Sequence, residues 1–357
     1  MPLRSSLLAV LVAVVWGVNF VVIDLGLGNV PPTLFVALRF LVVLVPAIFL
    51  VPRPRARWRD VLLVGTFMSL GQFGLLYTAL ALGMPAGLAS LVLQAQVGLT
   101  VLFAAAALRE VPTRSQLVGV LVGAAGLVVV GVGRSASTPA LAFVVTLAAA
   151  ASWAVGNVVA RRAGRRDHGP TSRDQGSPSA HQAPSRPGLD GLSMTVWSAL
   201  VVPVPMLGLS LALDGPDAVG HALTHLTLAP VLSTLYTAWL ASLVGYGIWN
   251  TLLARYPASA VVPFTMLVPP VGMLAAWVVL DEVPNAAELA GGAVLLLGVA
   301  TTTGVLRRRP RAVRPTAAAP GVVAPHGAEP GDSPGFGEVP DDRAGFGSPG
   351  ATRARSR

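Results

Sequence analysis

The sequence predicts an all-α integral membrane protein whose ten transmembrane helices form two inverted repeats of five helices each. Three observations support this fold class. Of the 357 residues, 54% are hydrophobic and only 11% are charged, whereas a typical soluble domain contains about 25% charged residues. Apolar stretches of membrane-spanning length recur along the chain, with arginines in alternate loops between them. Part of the chain also resembles a later part at a fixed spacing.

Ten apolar stretches are long enough to cross a bilayer core of about 30 Å, which requires about 20 helical residues. They are predicted at residues 5–24, 32–51, 61–82, 85–108, 117–132, 141–160, 193–213, 228–254, 257–280 and 289–306. The first stretch lacks a cleavage site of small residues and contains Trp16 and Asn19. We therefore interpret it as a retained helix rather than a signal peptide.

The basic residues of the chain are all arginines, and they give it a net charge of +9. They concentrate in the second, fourth, sixth and eighth connections and after the last helix, while the other connections contain only Arg134. By the positive-inside rule, this alternation predicts that both termini lie in the cytoplasm, and the expected location is a bacterial inner membrane. A nucleic-acid-binding protein would instead need a basic face on a folded domain. The expected surroundings are therefore membrane lipid, and no nucleic acid is expected as a partner.

Two polar segments lie outside the predicted membrane region. Residues 161–190 are rich in Gly, Pro, Ser and Arg and predict a cytoplasmic loop. Residues 307–357 are rich in Gly, Pro and Ala and predict a disordered cytoplasmic tail. The predicted domains are a first repeat at residues 1–132, a second repeat at 133–306 that includes the loop, and the tail. The absence of cysteine excludes disulfides and Cys-based zinc sites.

A shift of 172 positions superposes part of the chain on itself without gaps. The segment LREVP at 108–112 then coincides with LDEVP at 280–284. Three identical pairs follow: Leu117 with Leu289, Gly119 with Gly291, and Gly126 with Gly298. At the start of each half, VWGVNFVV at 15–22 resembles SWAVGNVV at 152–159. Because five is odd, the second repeat enters the membrane from the opposite side. Such inverted repeats are typical of transporters with a substrate site near the bilayer midplane.

Together these features resemble the EamA-type members of the drug/metabolite transporter superfamily. The resemblance covers about residues 5–306 and rests on the two five-helix halves, the Trp in the first helix of each, and the paired E-V-P turns at 110–112 and 282–284. It implies secondary transport of a small-molecule substrate, with export of amino acids or related metabolites. Small four-helix relatives use a glutamate within the first helix for proton coupling. Here no Asp or Glu lies in the middle of a predicted helix, so that mechanism is not transferred.

Candidate substrate-binding residues are polar and aromatic side chains inside the predicted helices. A cavity for a small polar solute needs a few hydrogen-bonding groups within an apolar, aromatic wall. Arg39 is the only basic residue inside an apolar stretch, and it could attract a substrate carboxylate. Alternatively, it caps carbonyls or extends to the outer interface. The full candidate set is Trp16, Asn19, Arg39, Tyr77, Gln94, Trp153, Asn157, Ser242, Tyr246 and Trp249.

The other candidates also have structural alternatives. The Asn and Trp residues of the first and sixth helices can join neighbouring helices, and Trp249 can belong to an aromatic belt at the interface. The prolines of the ninth stretch either kink that helix or free carbonyls that could bind substrate; they are Pro263, Pro269 and Pro270. Glu110 and Glu282 are assigned to turn and helix-terminus electrostatics.

Two other functions remain open at this stage. A membrane-embedded enzyme needs clustered His, Asp or Glu residues, but none of the five histidines falls inside a predicted helix. No catalytic residue, metal or cofactor is therefore expected. No P-loop motif occurs, so ATP is not the expected driver. The sequence does not separate a lipid scramblase or flippase from a solute exporter.

Overall fold

The computed structural model describes residues 1–28, 30–135, 138–167 and 187–305. Within them, ten helices are long and apolar enough to cross a membrane, and no strand occurs among these residues. This confirms the predicted all-α membrane fold. The predicted tail at 307–357 and most of the predicted loop at 161–190 lie outside the described residues.

Each predicted stretch overlaps one spanning helix. We number the helices α1 (Leu3–Leu27), α2 (Pro32–Leu50), α3 (Trp58–Ala81), α4 (Ala86–Leu108), α5 (Arg114–Gly133), α6 (Ala140–Ala163), α7 (Gly191–Leu213), α8 (Leu228–Arg255), α9 (Ser259–Leu280) and α10 (Ala286–Thr303). A short helix, Pro216–Thr224, lies between α7 and α8. The α6 helix continues to Asp167, into the predicted cytoplasmic loop.

Contacts between helix ends define two ends of the bundle. The start of α1 meets the end of α8, where the Ser5 hydroxyl lies 2.9 Å from the Tyr256 hydroxyl. We call this the termini end, because α1 begins there and α10 ends there. At the opposite end, which we call the far end, the Thr33 hydroxyl at the start of α2 donates to the Asp214 carboxylate after α7 over 3.5 Å.

Five spanning helices are interrupted, among them α7 by the 3₁₀ segment Ala199–Val201. The α3 and α8 helices contain π-helical segments, Gly65–Gly71 and Tyr236–Val244. The α4 helix breaks after Val92 and resumes at Ala95, and α9 contains the 3₁₀ segment Val262–Leu267. That segment includes Pro263, and two further prolines follow in the first turn of the regular helix, where no backbone donor is required. The predicted interruption of the ninth helix is therefore present.

Local structure repeats at the same spacing of 172 residues. Arg109 and Asp281 occupy equivalent positions and end α4 and α9 in the left-handed conformation, with φ of 53° and 56°. Thr113 and Asn285 are likewise equivalent, and each is the N-cap of the next helix in a capping box with the residue three positions later. The π segment of α3 also coincides with that of α8. The sequence repeat is therefore matched by equivalent helix ends and interruptions.

Glycines bring α5 and α10 into backbone contact. A Cβ atom added at Gly126 would lie 2.4 Å from the backbone nitrogen of Leu295, and one added at Gly298 would lie 2.3 Å from the backbone nitrogen of Gly123. Only residues without a side chain permit such an approach between membrane helices. The glycines that repeat in the sequence thus join the last helices of the two halves.

Candidate functional site: a buried arginine and its aromatic wall

Arg39 lies inside the bundle rather than at an interface. The α2 helix holds its side chain at 2% exposure. One guanidinium nitrogen, Nη1, donates to the Tyr77 hydroxyl of α3 over 3.0 Å, and Nη2 donates to the Ser242 hydroxyl of α8 over 3.1 Å. The guanidinium carbon also stacks over the Phe73 ring, 4.1 Å from its centroid. Three helices therefore position one buried positive charge.

Among the described residues, no carboxylate forms an ion pair with Arg39; the ion pair found there joins Arg161 and Glu110. The buried Nε atom of Arg39 also has no hydrogen-bond partner. Burying a charge is unfavourable unless partners compensate it, and the cation–π contact with Phe73 offsets only part of this penalty. A guanidinium presents its donors in a planar fork that matches a carboxylate. This arrangement can therefore bind an organic anion.

An aromatic wall adjoins Arg39. Trp16 of α1 contacts Tyr246 and Trp249 of α8, with ring centroids 5.1 and 5.4 Å apart. The Trp16 indole donates to the Ala241 carbonyl over 3.0 Å, within the π segment of α8. Such segments break the regular backbone pairing of a helix and are frequent at functional sites. Because Ser242 precedes Tyr246 by one helical turn, the wall continues along α8 to the residues around Arg39. We call the combined group the Arg39 cluster; it consists of Trp16, Arg39, Phe73, Tyr77, Ser242, Tyr246 and Trp249.

A second polar group lies between α4 and α6. The Asn157 amide donates to the Gln96 side-chain oxygen over 3.0 Å and to the Thr100 hydroxyl over 3.3 Å. Gln94, at the break in α4, donates to the Thr265 carbonyl in the 3₁₀ segment of α9 over 3.1 Å. One carbonyl freed by the irregular backbone of α9 is therefore bound by the protein itself.

The structure brings six of the ten sequence candidates together, namely Trp16, Arg39, Tyr77, Ser242, Tyr246 and Trp249. The other four form no hydrogen bond with this cluster in the described part of the chain. Trp153 packs against the hydrophobic core, and Asn19 is buried with its side-chain oxygen unpaired. Phe73 was absent from the candidate set, although its spacing of four residues from Tyr77 puts both rings on one helix face.

The two ends of the bundle are packed differently. At the far end, every residue of the first α4 segment, Ala86–Val92, is buried, and this segment packs along the α9 segment Val268–Leu280. At the termini end, the α9 segment Val262–Leu267 contains no buried residue. Asn157 and Tyr246 are only half-buried there. The first α4 segment is therefore packed more tightly at the far end than the 3₁₀ segment of α9 is at the termini end, where Trp249 and Val261 belong to a separate buried hydrophobic cluster.

Comparisons with known proteins agree with this architecture. The model of the EamA-like transporter family matches residues 3–132 and 183–304. Two proteins named probable amino-acid metabolite efflux pumps, from Salmonella typhimurium strain LT2 and Escherichia coli strain K12, are 41% and 38% identical to this chain over 301 residues. Each alignment covers 84% of this chain and 94% of the relative.

A more distant relative and a solved structure extend these similarities. The probable terminal-alkyne amino-acid exporter of Streptantibioticus cattleyicolor is 28% identical over 276 residues, which cover 76% of this chain and 80% of that protein. A crystal structure of a protein 21% identical in sequence superposes with a TM-score of 0.54, over 85% of this chain and 98% of the other. This superposition shows a shared fold.

Proposed function

The chain belongs to the EamA-like transporter family, and on this premise we propose that it exports amino acids or related carboxylate-bearing metabolites by alternating access. It is a multi-pass bacterial membrane protein and a small-metabolite exporter of that family. Its relatives are named for amino-acid metabolites and for an amino acid. The observation that carries the proposal is the buried Arg39 charge, which has no carboxylate partner among the described residues.

In this proposal a substrate carboxylate binds the Arg39 guanidinium. The anion would compensate a buried charge that the protein leaves largely uncompensated, so binding is favourable without a further charged residue. Tyr77 and Ser242 fix the direction of the guanidinium, while the aromatic wall contacts the remainder of the substrate. The candidates outside the Arg39 cluster line the route toward the termini end; they are Asn19, Gln94, Trp153 and Asn157.

Alternating access requires two halves that can exchange their packing. We propose that residues 1–132 and 133–306 are these halves and that they run inverted in the membrane. Two equivalent loops support the inversion. Gly83 lies in the α3–α4 loop at the far end, where a Cβ atom added to it would lie 3.6 Å from the ring of Pro139. The mate of Gly83, Arg255, precedes Tyr256, which contacts the start of α1 at the termini end.

The arginine-rich connections belong to the termini end, so we assign that end to the cytoplasm. Substrate then enters from the cytoplasm through the looser termini end and reaches Arg39 while the far end is closed. When the termini end then closes and the far end opens, the substrate would be released outside the cell. This direction of transport is export.

The test is solute flux in proteoliposomes. Purified protein should move labelled amino acids down a gradient, and Arg39→Ala should reduce this flux about 100-fold while affecting the corresponding carboxamides less. The exposed Arg59 provides the control, because Arg59→Ala removes a charge outside the bundle. The same liposomes with a fluorescent lipid test the scramblase alternative. Lipid exchange without solute flux, or equal losses for carboxylates and carboxamides, would overturn the proposal.

A further inference from the structure

Glu282 joins the two halves at the far end. It lies in the α9–α10 connection, and its carboxylate accepts hydrogen bonds from the first amides of α4: Oε1 from Ala86 at 2.9 Å and Oε2 from Gly87 at 3.0 Å. A carboxylate is favourable at this position because the first amides of a helix lack intrahelical partners and carry a partial positive charge. Beside this cap the helices touch, since a Cβ on Gly87 would lie 3.0 Å from the Cα of Met273.

Glu110 is the equivalent of Glu282 in the first half, 172 positions earlier. By the same shift of 172 positions, the Ala86 and Gly87 amides that Glu282 binds correspond to the amides of Ala258 and Ser259, at the start of α9. In this structure Glu110 instead accepts from the guanidinium of Arg161, at the termini end of α6, over 2.9 Å. The two carboxylates thus have equivalent positions in the repeats but different partners.

The surrounding helices share this asymmetry. At the far end, α4 begins with a fully buried segment packed along α9. The equivalent α9 positions, 258–264, include the buried Val261, and the overlapping 3₁₀ segment Val262–Leu267 packs against α1 and α10 and contains no buried residue. The second segment of α4, Ala95–Leu108, packs mainly against α5 and α6. Within the described residues, the α4–α9 contact of the far end has no counterpart of similar extent at the termini end.

We propose that Glu282 and Glu110 are alternating latches that close the far end and the termini end in turn. With Glu282 on α4, the far end is closed. In the opposite conformation, Glu110 leaves Arg161 and caps the start of α9, while α4 separates from Glu282. This inference rests on the proposed alternating access. Because the Arg161–Glu110 pair is partly exposed, with side-chain exposures of 48% and 26%, solvent screening makes it weak enough to exchange.

The absence of cysteine provides a direct test, because single reporter cysteines can be introduced without background. Ser90→Cys lies in the buried first segment of α4 and reports opening of the far end. Val262→Cys is its equivalent on α9 and reports opening of the termini end. Labelling of each by a water-soluble maleimide reads the conformation without any transport measurement.

The decisive comparison uses two variants that break the same ion pair. Arg161→Ala removes the arginine that holds Glu110 at α6 and so favours capping of α9 by Glu110; labelling at position 90 should then rise about fivefold and labelling at position 262 should fall. Glu110→Gln removes the latch of the termini end, so labelling at position 90 should fall and labelling at position 262 should rise. The neighbouring exposed residue supplies a matched control, Arg162→Ala, which should change neither. Shifts in the same direction for Arg161→Ala and Glu110→Gln would overturn the latch proposal.

Glu282→Gln tests the other latch and should raise labelling at position 90. Because Glu282 is also part of the α4 cap, this variant can lower the yield of folded protein, whereas Arg161 and Glu110 lie at the surface and keep the comparison interpretable. Opposite labelling shifts without solute flux would uphold the latches and refute the proposed function. Solute flux with parallel labelling shifts would refute the latches alone.

Discussion

The Arg39 guanidinium and the Ser242 hydroxyl lie 3.1 Å apart and join two helices that are separated by 203 positions in the chain. Arg39 belongs to α2 of the first half, and Ser242 belongs to the π segment of α8 in the second half. The buried charge therefore lies where the two proposed halves meet. A substrate bound there would contact both halves, so its binding can respond to their relative movement.

Replacing Arg39 by Lys should separate the role of geometry from that of charge. Lysine keeps the positive charge but loses the planar fork that can contact Tyr77, Ser242 and a carboxylate together. We expect Arg39→Lys to raise the KM for an amino acid about tenfold, and Arg39→Gln to lower kcat/KM about 100-fold. Initial rates in proteoliposomes give both values. Equal defects in the two variants would show that charge alone contributes nothing.

The ring of Phe73 should stabilise the arginine in the absence of substrate. Phe73→Leu preserves apolar volume but removes the cation–π contact at 4.1 Å, and we expect it to lower the free energy of unfolding by about 1 kcal/mol. Phe40→Leu is the matched control, since the Phe40 ring lies 5.5 Å from the guanidinium carbon. Thermal unfolding in detergent compares the two variants. A larger loss for Phe40→Leu would contradict the assignment.

Cysteine reactivity should identify the side chains that face water. Tyr246→Cys should react fastest with a water-soluble thiol reagent, because Tyr246 is half-buried near the looser termini end. Asn19→Cys and Gln94→Cys should react more slowly, since both positions are buried in this conformation. Two controls should stay inert: Leu11→Cys on the apolar outer surface and Val43→Cys in the core. If none of the introduced cysteines reacted, these positions would not line a water-filled route to Arg39.

The close approach of α5 and α10 makes Gly298 sensitive to a single methyl group. The added Cβ would lie 2.3 Å from a backbone nitrogen, so the helices must separate, and we expect Gly298→Ala to cost about 2 kcal/mol or more of stability. Gly208→Ala in α7 is the control, because a Cβ there meets nothing within 4 Å. Thermal unfolding of both variants gives the comparison. Equal stability would mean that the glycine contact does not restrict the packing of these helices.

The fold was largely predictable because a membrane helix is specified locally, by the length and hydropathy of one segment. Three helix starts, those of α3, α5 and α10, were predicted about three residues late. For the last two, Thr113 with Gln116 and Asn285 with Glu288 carry the signature of a capping box. Pro263 correctly indicated the interruption of α9. The π segments of α3 and α8 contain no such residue, so nothing in the local sequence distinguished them.

The candidate site was predictable in part, for the same reason. The i, i+4 spacing correctly put Ser242 and Tyr246 on one face of α8, and an unusual charge identified Arg39. Their meeting with Tyr77 and Trp16 depends on contacts between four helices, which no single segment encodes. Trp249 was also compatible with an interfacial belt, but it is buried against Trp16.

The orientation of the repeats can be tested with two equivalent surface valines. Val111 and Val283 lie 172 positions apart in the paired E-V-P turns and are 92% and 70% exposed. If the repeats are inverted and the termini end is cytoplasmic, a membrane-impermeant maleimide added to intact cells should label Val283→Cys and leave Val111→Cys unlabelled. Permeabilised cells should label both, which controls for reactivity. Labelling of both in intact cells would place the two turns on one face, and the inverted arrangement would then fail together with the latch exchange that depends on it.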